Sequence, residues 1–383
     1  MDLNEQVERC ERLIRRGYPK EKIRSKLSYR NFDEIYEIAK CRIESKGKFS
    51  VKELFFDKYG LRYSTPEIIG RYRAQRIKDF TVADLSTGVG LQAIFFSFTN
   101  REVLGVDISE RRIRYANLNA KAYGANNIRF IVGDCLSTEI YNIARKYEIL
   151  FSDPARAERE DERDLRTLFP SPLKIMEKYG TGRDYVFDLP PQISFEKIPA
   201  TWEKEFISIN GKITRFTTYV GDIKKHDRVA VALPDGHTYW SDDPISRDDL
   251  RLYYSNLVLK SLKLSDYIYL IDESLYYAHL LKEFGLEYGL RYLKVGKRRT
   301  LATGEHKYMP FSKVFRVLCL STTFNTLVDC LKAEGIGKVT LRFSVSPEEY
   351  WNIRNRIESE LQGNEKGSLF KIGDTWIGAV NVT

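Results

Sequence analysis

Residues 82–90 read VADLSTGVG, with Leu91 next. An apolar run closes on Asp84 and Leu85, a tight turn carries Gly88 and Gly90, and a helix is expected from Leu91. Glycine lets a backbone take positive φ and approach a ligand closely. The helix N-terminus behind such a turn favours a carboxylate or phosphate. The turn alone fits several nucleotide folds, so its surroundings decide. TVADLS, EVLGVDI, NIRFIVGD, EILFSDP and DYVFDLP are short β-branched runs, each separated from the next by a helix-like stretch. That alternation predicts an α/β domain, a parallel sheet with helices on both faces.

Four consecutive predicted strands end in an acid: Asp84, Asp107, Asp134 (in VGDC) and Asp153 (in SDPAR). Ligands of open parallel sheets bind at these C-terminal strand ends. An acid placed like Asp107 accepts both hydroxyls of a ribose, and Asp134 is placed to reach an adenine edge. So many carboxylates disfavour a phosphate-rich dinucleotide. S-adenosylmethionine has no phosphate and carries a sulfonium, so it fits better. The expected cofactor contacts are Asp84, Ser86, Gly88, Gly90, Asp107, Ile108, Asp134 and Cys135.

Residues 81–156 resemble a class I S-adenosylmethionine-dependent methyltransferase, which implies a Rossmann-like sheet. YRAQRI before the first strand, DLSTGVG, DPAR, PATWEKEFISINGKI and YIYLIDESLYYAHLL follow one another in the order of a narrower methyltransferase family. That family carries a THUMP-like domain at its C-terminus. THUMP domains bind RNA, so the resemblance implies a nucleic-acid partner. It carries over Asp84, Gly88, Gly90, Asp107 and Asp134 as cofactor contacts and Asp153, Pro154 and Arg156 as the catalytic loop. A second Arg is usual after DPAR; here Ala157 stands there.

Methyltransferases of exocyclic amines commonly follow the acid with Pro-Pro and a Tyr or Phe that stacks on a flipped base. Asp153-Pro154-Ala155-Arg156 keeps the acid and one proline but has no ring. Pro154 stiffens the turn, and Arg156 offers a bidentate grip for a phosphate or base edge. The alternative for Arg156 is pairing with the acidic run 158–162. Asp188, in Asp-Leu-Pro-Pro, is a second candidate proton acceptor. Tyr72, Arg73 and Arg76 precede the first strand, where they suit a lid on the cofactor's carboxylate or an RNA phosphate; the alternative is an ordinary surface helix.

Residues 1–80 read as helices. Asn31 with Glu34 looks like a capping box, and Phe32, Ile35, Ala39 and Ile43 mark one face. From Glu205 the texture becomes antiparallel, with turns at Gly211, Gly221 and Gly236. Residues 241–250 look like a polar linker, and a smaller α+β unit follows, with a helix expected over LYYAHLLKEFGL. The expected division is 1–80 helical, 81–243 methyltransferase and 250–383 THUMP-like.

The chain has 383 residues, 43% apolar and 30% charged, with net charge +9. Residues 1–80 hold 20 Lys and Arg against 13 Asp and Glu. A second basic run is Lys294, Lys297, Arg298 and Arg299. Arg73, Arg76, Lys297, Arg298 and Arg299 are therefore the candidate RNA contacts. No apolar run reaches about 18 residues, so no membrane span is expected. The five dispersed cysteines argue against a disulfide scaffold or a CxxC zinc site and suit a reducing cytoplasm. Four histidines with no HExxH argue against a protein-held metal. The favoured reading is a cytoplasmic methyltransferase for a base in structured RNA, tRNA before rRNA. A protein or small-molecule methyltransferase and a non-catalytic cofactor-binding scaffold are the alternatives, and the oligomeric state stays open.

Overall fold

The structure, a computed structural model, describes residues 2–155, 164–245, 257–258, 264–305 and 308–382. They form two compact units: Met1–Lys204 with Arg215–Lys225, and Glu205–Thr214 with His226–Thr383.

The first unit begins with helices α1 (Leu3–Arg15), α2 (Lys20–Leu27), α3 (Phe32–Glu44), α4 (Lys58–Tyr63) and α5 (Glu67–Arg76). A capping box of Asp2 and Glu5 starts α1. The box expected at Asn31 does not form: Asn31 precedes α3 with φ −106° and ψ 41°, and its side chain caps nothing. An N-cap residue normally needs the extended region to aim its side chain at the first turn. Glu34 instead pairs with Arg114 and accepts from the Tyr115 hydroxyl at 2.7 Å.

The five predicted strands all form: β1 (Thr81–Asp84), β2 (Glu102–Asp107), β3 (Ile128–Val132), β4 (Ile149–Ser152) and β5 (Asp184–Leu189). Between them run α6 (Leu91–Ser97), α7 (Glu110–Tyr123), α8 (Thr138–Ala144) and α9 (Pro172–Tyr179). The strands pair in parallel in the order β3-β2-β1-β4-β5. The chain turns one way from β1 to β2 and β3 and the other way to β4 and β5. The crevice beyond the carboxyl ends of β1 and β4 is thus the topological switch point, where such sheets bind ligands. The next strands are β6 (Glu203–Ile209) and β7 (Lys212–Val220). Residues 216–220 of β7 run antiparallel to β5. Helices cover both faces, so β4 is buried at every position, as parallel strands usually are.

In the second unit, β8 (Arg228–Leu233) and β9 (His237–Ser241) form an antiparallel hairpin. Then come β10 (Tyr267–Ile271), α10 (Glu273–Tyr277), α11 (Leu281–Tyr288), β11 (Arg291–Lys294), β12 (Thr300–Gly304) and β13 (Ser312–Ser321). The remaining elements are α12 (Phe324–Ala333), β14 (Ile336–Leu341), α13 (Pro347–Glu358), β15 (Glu365–Ile372) and β16 (Thr375–Asn381). Among the described residues the sheet order is β11-β12-β10-β13-β16-β15-β14. The helix expected over 275–286 is two helices, because His279 between them takes φ 54°. The cysteine reading also needs correction: Cys319 on β13 and Cys330 on α12 form a disulfide. Eleven residues of sequence hide a contact between a strand and the helix that folds back on it. No helix among the described residues is long and apolar enough to cross a membrane.

Candidate cofactor and catalytic site

β1 delivers Asp84 to the switch point, where its carboxyl is 1% exposed. Burial pushes its pKa up to about 8; a hydrogen bond from the Ser86 amide at 3.2 Å opposes this, and the charges of Asp153 and Asp107 add to it. Among the described residues no cation pairs with Asp84. Such a carboxyl is poised to receive a cationic group. Gly88 and Gly90 take φ 55° and 85°. A Cβ on Gly88 would meet only open space, so its φ is what calls for glycine there. A Cβ on Gly90 would lie 2.7 Å from the Ala116 Cβ, so glycine lets the loop pack on α7.

Asp107 closes the other side. Its carboxylate accepts from the Gly88 amide and from the Ser109 amide, both at 2.9 Å. These two amides fix the plane of the carboxylate at the end of β2. Ile108 beside it is 77% exposed, and Val132 at the end of β3 is also exposed. Together they offer an apolar surface to a flat ring. Asp134 is exposed and accepts from the Leu136 amide at 2.9 Å. The Cys135 side chain is buried, with its thiol pushed up to about 12 by burial and then by Asp134. Only its backbone is available to a ligand, and its carbonyl already accepts from the Tyr179 hydroxyl at 2.8 Å.

Beyond β4 come Asp153, half-buried, and Pro154, buried. The Ser86 hydroxyl accepts from the Asp153 amide at 2.9 Å and lies 2.8 Å from the Ser152 hydroxyl. The glycine turn and the loop after β4 are thereby tied together. Arg156 and the acidic run 158–162 lie outside the described residues.

Three expected placements are corrected. Arg73 is fully buried, 3.1 Å from Asp188, and donates to Gln92 at 2.7 Å and Thr217 at 3.0 Å. Arg76 pairs with buried Glu203 and stacks 3.8 Å over the Tyr219 ring. Both belong to the interior, so neither is an RNA-facing residue. Asp188 is itself buried between Arg73 and Arg215, the latter at 3.2 Å. Asp188 thus sits in an interior ion cluster of α5, β5 and β7 rather than standing alone at its strand end. The signal was legible only in part: Arg in YRAQRI was visible, but not a partner 115 residues away.

Asn119 was missed altogether. Fully buried on α7, it accepts from the Phe55 amide at 2.7 Å. It also donates to the Phe55 carbonyl at 3.1 Å and the Val89 carbonyl at 2.9 Å. The glycine turn is thus latched to residues 54–56.

In the second unit, Lys297 and Arg298 are exposed and Arg299 is half-buried, all in the β11–β12 turn. Burial, then the charges of Arg342 and Arg298, lowers the Arg299 pKa. Arg299 Nη1 and Arg342 Nε are buried without a hydrogen-bond partner among the described residues. Arg342 was not anticipated, although a cation inside the apolar run TLRFSV was its signal. No group of His, Cys, Asp and Glu among the described residues is arranged to hold a metal.

Comparison with known proteins places this geometry. Residues 80–198 match the family described as RNA cap guanine-N2 methyltransferase. The release factor glutamine methyltransferase of Bacillus anthracis is 37% identical over 86 residues, 22% of this chain. The matched stretch spans only 30% of that relative's length. The crystal structure of a "putative methyltransferase" from Porphyromonas gingivalis W83 is similar over 92% of this chain and 91% of its own, with TM-score 0.69 and 15% identity. An RNA methyltransferase of Salinibacter ruber, crystallised with S-adenosyl-L-homocysteine, covers 41% of this chain and 92% of its own, with TM-score 0.30 and 18% identity. The chain thus has a methyltransferase fold, and the crevice at its switch point lies within the stretch that matches a methyltransferase family.

Proposed function

We propose that this chain is an S-adenosylmethionine-dependent methyltransferase that modifies a base in structured RNA, tRNA before rRNA. The observation that carries the reading is Asp84, a buried carboxyl with no cation paired to it among the described residues, at the switch point opposite Asp107 and the exposed Ile108. These residues fit the cofactor: Asp84 suits its ammonium, Asp107 its ribose hydroxyls, and Ile108 with Val132 its adenine. When bound, the cofactor supplies a methyl group on an already activated sulfonium. Asp153 then has one task, to take a proton from the acceptor amine as it is held in line.

RNA as the acceptor draws on the described family match and on the basic turn of the second unit. Arg298, Arg299 and Arg342 gather positive charge where no carboxylate offsets Arg299 or Arg342 among the described residues. Such a cluster grips phosphate. A THUMP-like role for residues 250–383 belongs to the same proposal. A second reading rests on the glutamine methyltransferase relative: a protein side-chain amide offers the same planar nitrogen acceptor.

The test is incubation with labelled cofactor and either unfractionated RNA from a strain lacking the protein or the matching protein fraction, followed by mass spectrometry. Label in RNA is expected, and Asp153→Ala should lower it about a hundredfold or more with cofactor binding retained. Label confined to protein would replace the first reading by the second.

A further inference from the structure

We propose that Phe169 is the stacking platform for the acceptor base; the inference rests on the RNA-methyltransferase reading above. The loop after β4 holds the acid and proline of an exocyclic-amine methyltransferase but no aromatic ring, since Ala155 and Arg156 follow. The structure brings a ring back from 14 residues further on. The Ala155 amide donates to the Phe169 carbonyl at 2.7 Å, and the Phe169 amide donates to the Ala155 carbonyl at 3.0 Å. These two bonds make an isolated antiparallel bridge. Side chains of such a directly opposed pair stand on the same face of the ladder. Opposite Phe169 that face carries only the Ala155 methyl, so nothing from its partner covers the ring.

Phe169 is 67% exposed, whereas Leu165, Leu168, Ser171 and Pro172 around it in sequence are buried. The ring is therefore not core. Its seat is nonetheless fixed: Asp164 accepts from the Arg166 amide at 2.9 Å, and the Ser171 hydroxyl donates to the Leu165 carbonyl at 2.9 Å. Single exposed apolar side chains are ordinary. This one is clamped two residues from Asp153, the proposed proton acceptor, on the segment that returns to the catalytic loop. An enzyme that works on a base takes it out of its stack and holds it against an aromatic or apolar surface. Arg156, adjacent to the bridge in sequence, is the position where that ring is commonly found.

Methyl transfer to the unfractionated RNA is measured for wild type, Phe169→Ala and Phe169→Trp, with cofactor affinity measured for each by calorimetry. Phe169→Ala should lose about ten- to hundredfold in kcat/KM for RNA, the range of one lost base stack, at unchanged cofactor affinity. Phe169→Trp should keep activity, and its added fluorescence, relative to wild type, should be quenched by the RNA. Undiminished transfer by Phe169→Ala overturns the proposal, as does a Phe169→Ala variant that no longer binds cofactor, which would make the ring structural. Wild type that transfers nothing to RNA overturns the RNA reading itself, an outcome separate from either of these.

Discussion

Asp84 concentrates the physical chemistry of the site in one side chain. Its pKa is pushed up to about 8 by burial first and by its acidic neighbours after that. The folded value lies above the ordinary one, so the carboxyl's contribution to stability is full below about pH 4. It is lost as the pH rises through about 8, because the native state must then ionise a buried group. The ligand-free protein should accordingly lose stability to urea from about pH 5 to pH 8. Asp84→Asn should flatten that decline and bind no cofactor. A cationic ligand reverses the preference and expels the proton. Cofactor affinity should then rise with pH, by up to about tenfold per unit, until about pH 8, where the cofactor's own ammonium starts to lose its proton. Calorimetry in buffers of different ionisation enthalpy should register about one proton released. Proton-neutral binding would remove Asp84 from the ammonium site.

At the scale of elements, Asp188 joins three of them: Arg73 comes from α5, Asp188 from β5 and Arg215 from β7. Removing the carboxylate leaves the fully buried guanidinium of Arg73 and the half-buried one of Arg215 without the charge between them. Breaking a buried pair in this way costs about 3–5 kcal/mol. Asp188→Asn should therefore lower the urea midpoint by that equivalent, and any residual folded fraction should still take up labelled cofactor. A proton acceptor would show the opposite pattern, normal stability with lost turnover. The same elements show what the sequence made legible. The five parallel strands could be read because each is a short β-branched run closed by an acid or proline. Gly88 and Gly90 could be read because their φ angles demand glycine. The burial of Arg73 could not, since Arg in a helix looks exposed until its partner on a distant strand is known. Nor could the Cys319–Cys330 bond, which depends on how α12 folds back on β13. Phe169 was hidden for a similar reason: its place beside Ala155 is set by a bridge between two loop segments.

For the molecule as a whole, charge is distributed differently from the impression its composition gives. Much of the basic excess of residues 1–80 is internal or paired: Arg42 is buried over Phe55, and Lys20 and Arg24 share Asp33. Lys48, with its amine lowered to about 8 by burial and then by Arg215, donates to the Leu61 carbonyl and the Ser64 hydroxyl. In the second unit Lys297 and Arg298 are exposed, with Arg299 and Arg342 half-buried, and RNA binding is expected to depend on this group. Replacing Arg299 and Arg342 together by Ala should weaken tRNA binding and reduce the slope of log affinity against log salt by roughly one to two units. Cofactor affinity should stay as it was. A filter-binding titration that returns the wild-type slope would exclude these two arginines from phosphate contact.

Asn119 has a consequence in time as well as in space. One side chain holds the Phe55 amide, the Phe55 carbonyl and the Val89 carbonyl, so the glycine turn and residues 54–56 have a common latch. Segments that share a buried polar latch tend to open as one cooperative unit. Native-state hydrogen exchange should thus show the amides of Phe55 and Gly90 exchanging with the same opening free energy. Asn119→Ala should accelerate both together, by a similar factor, while amides of α13 keep their rates. Cofactor, by closing over the turn, should slow exchange at Phe55 as well, although Phe55 is not among its proposed contacts.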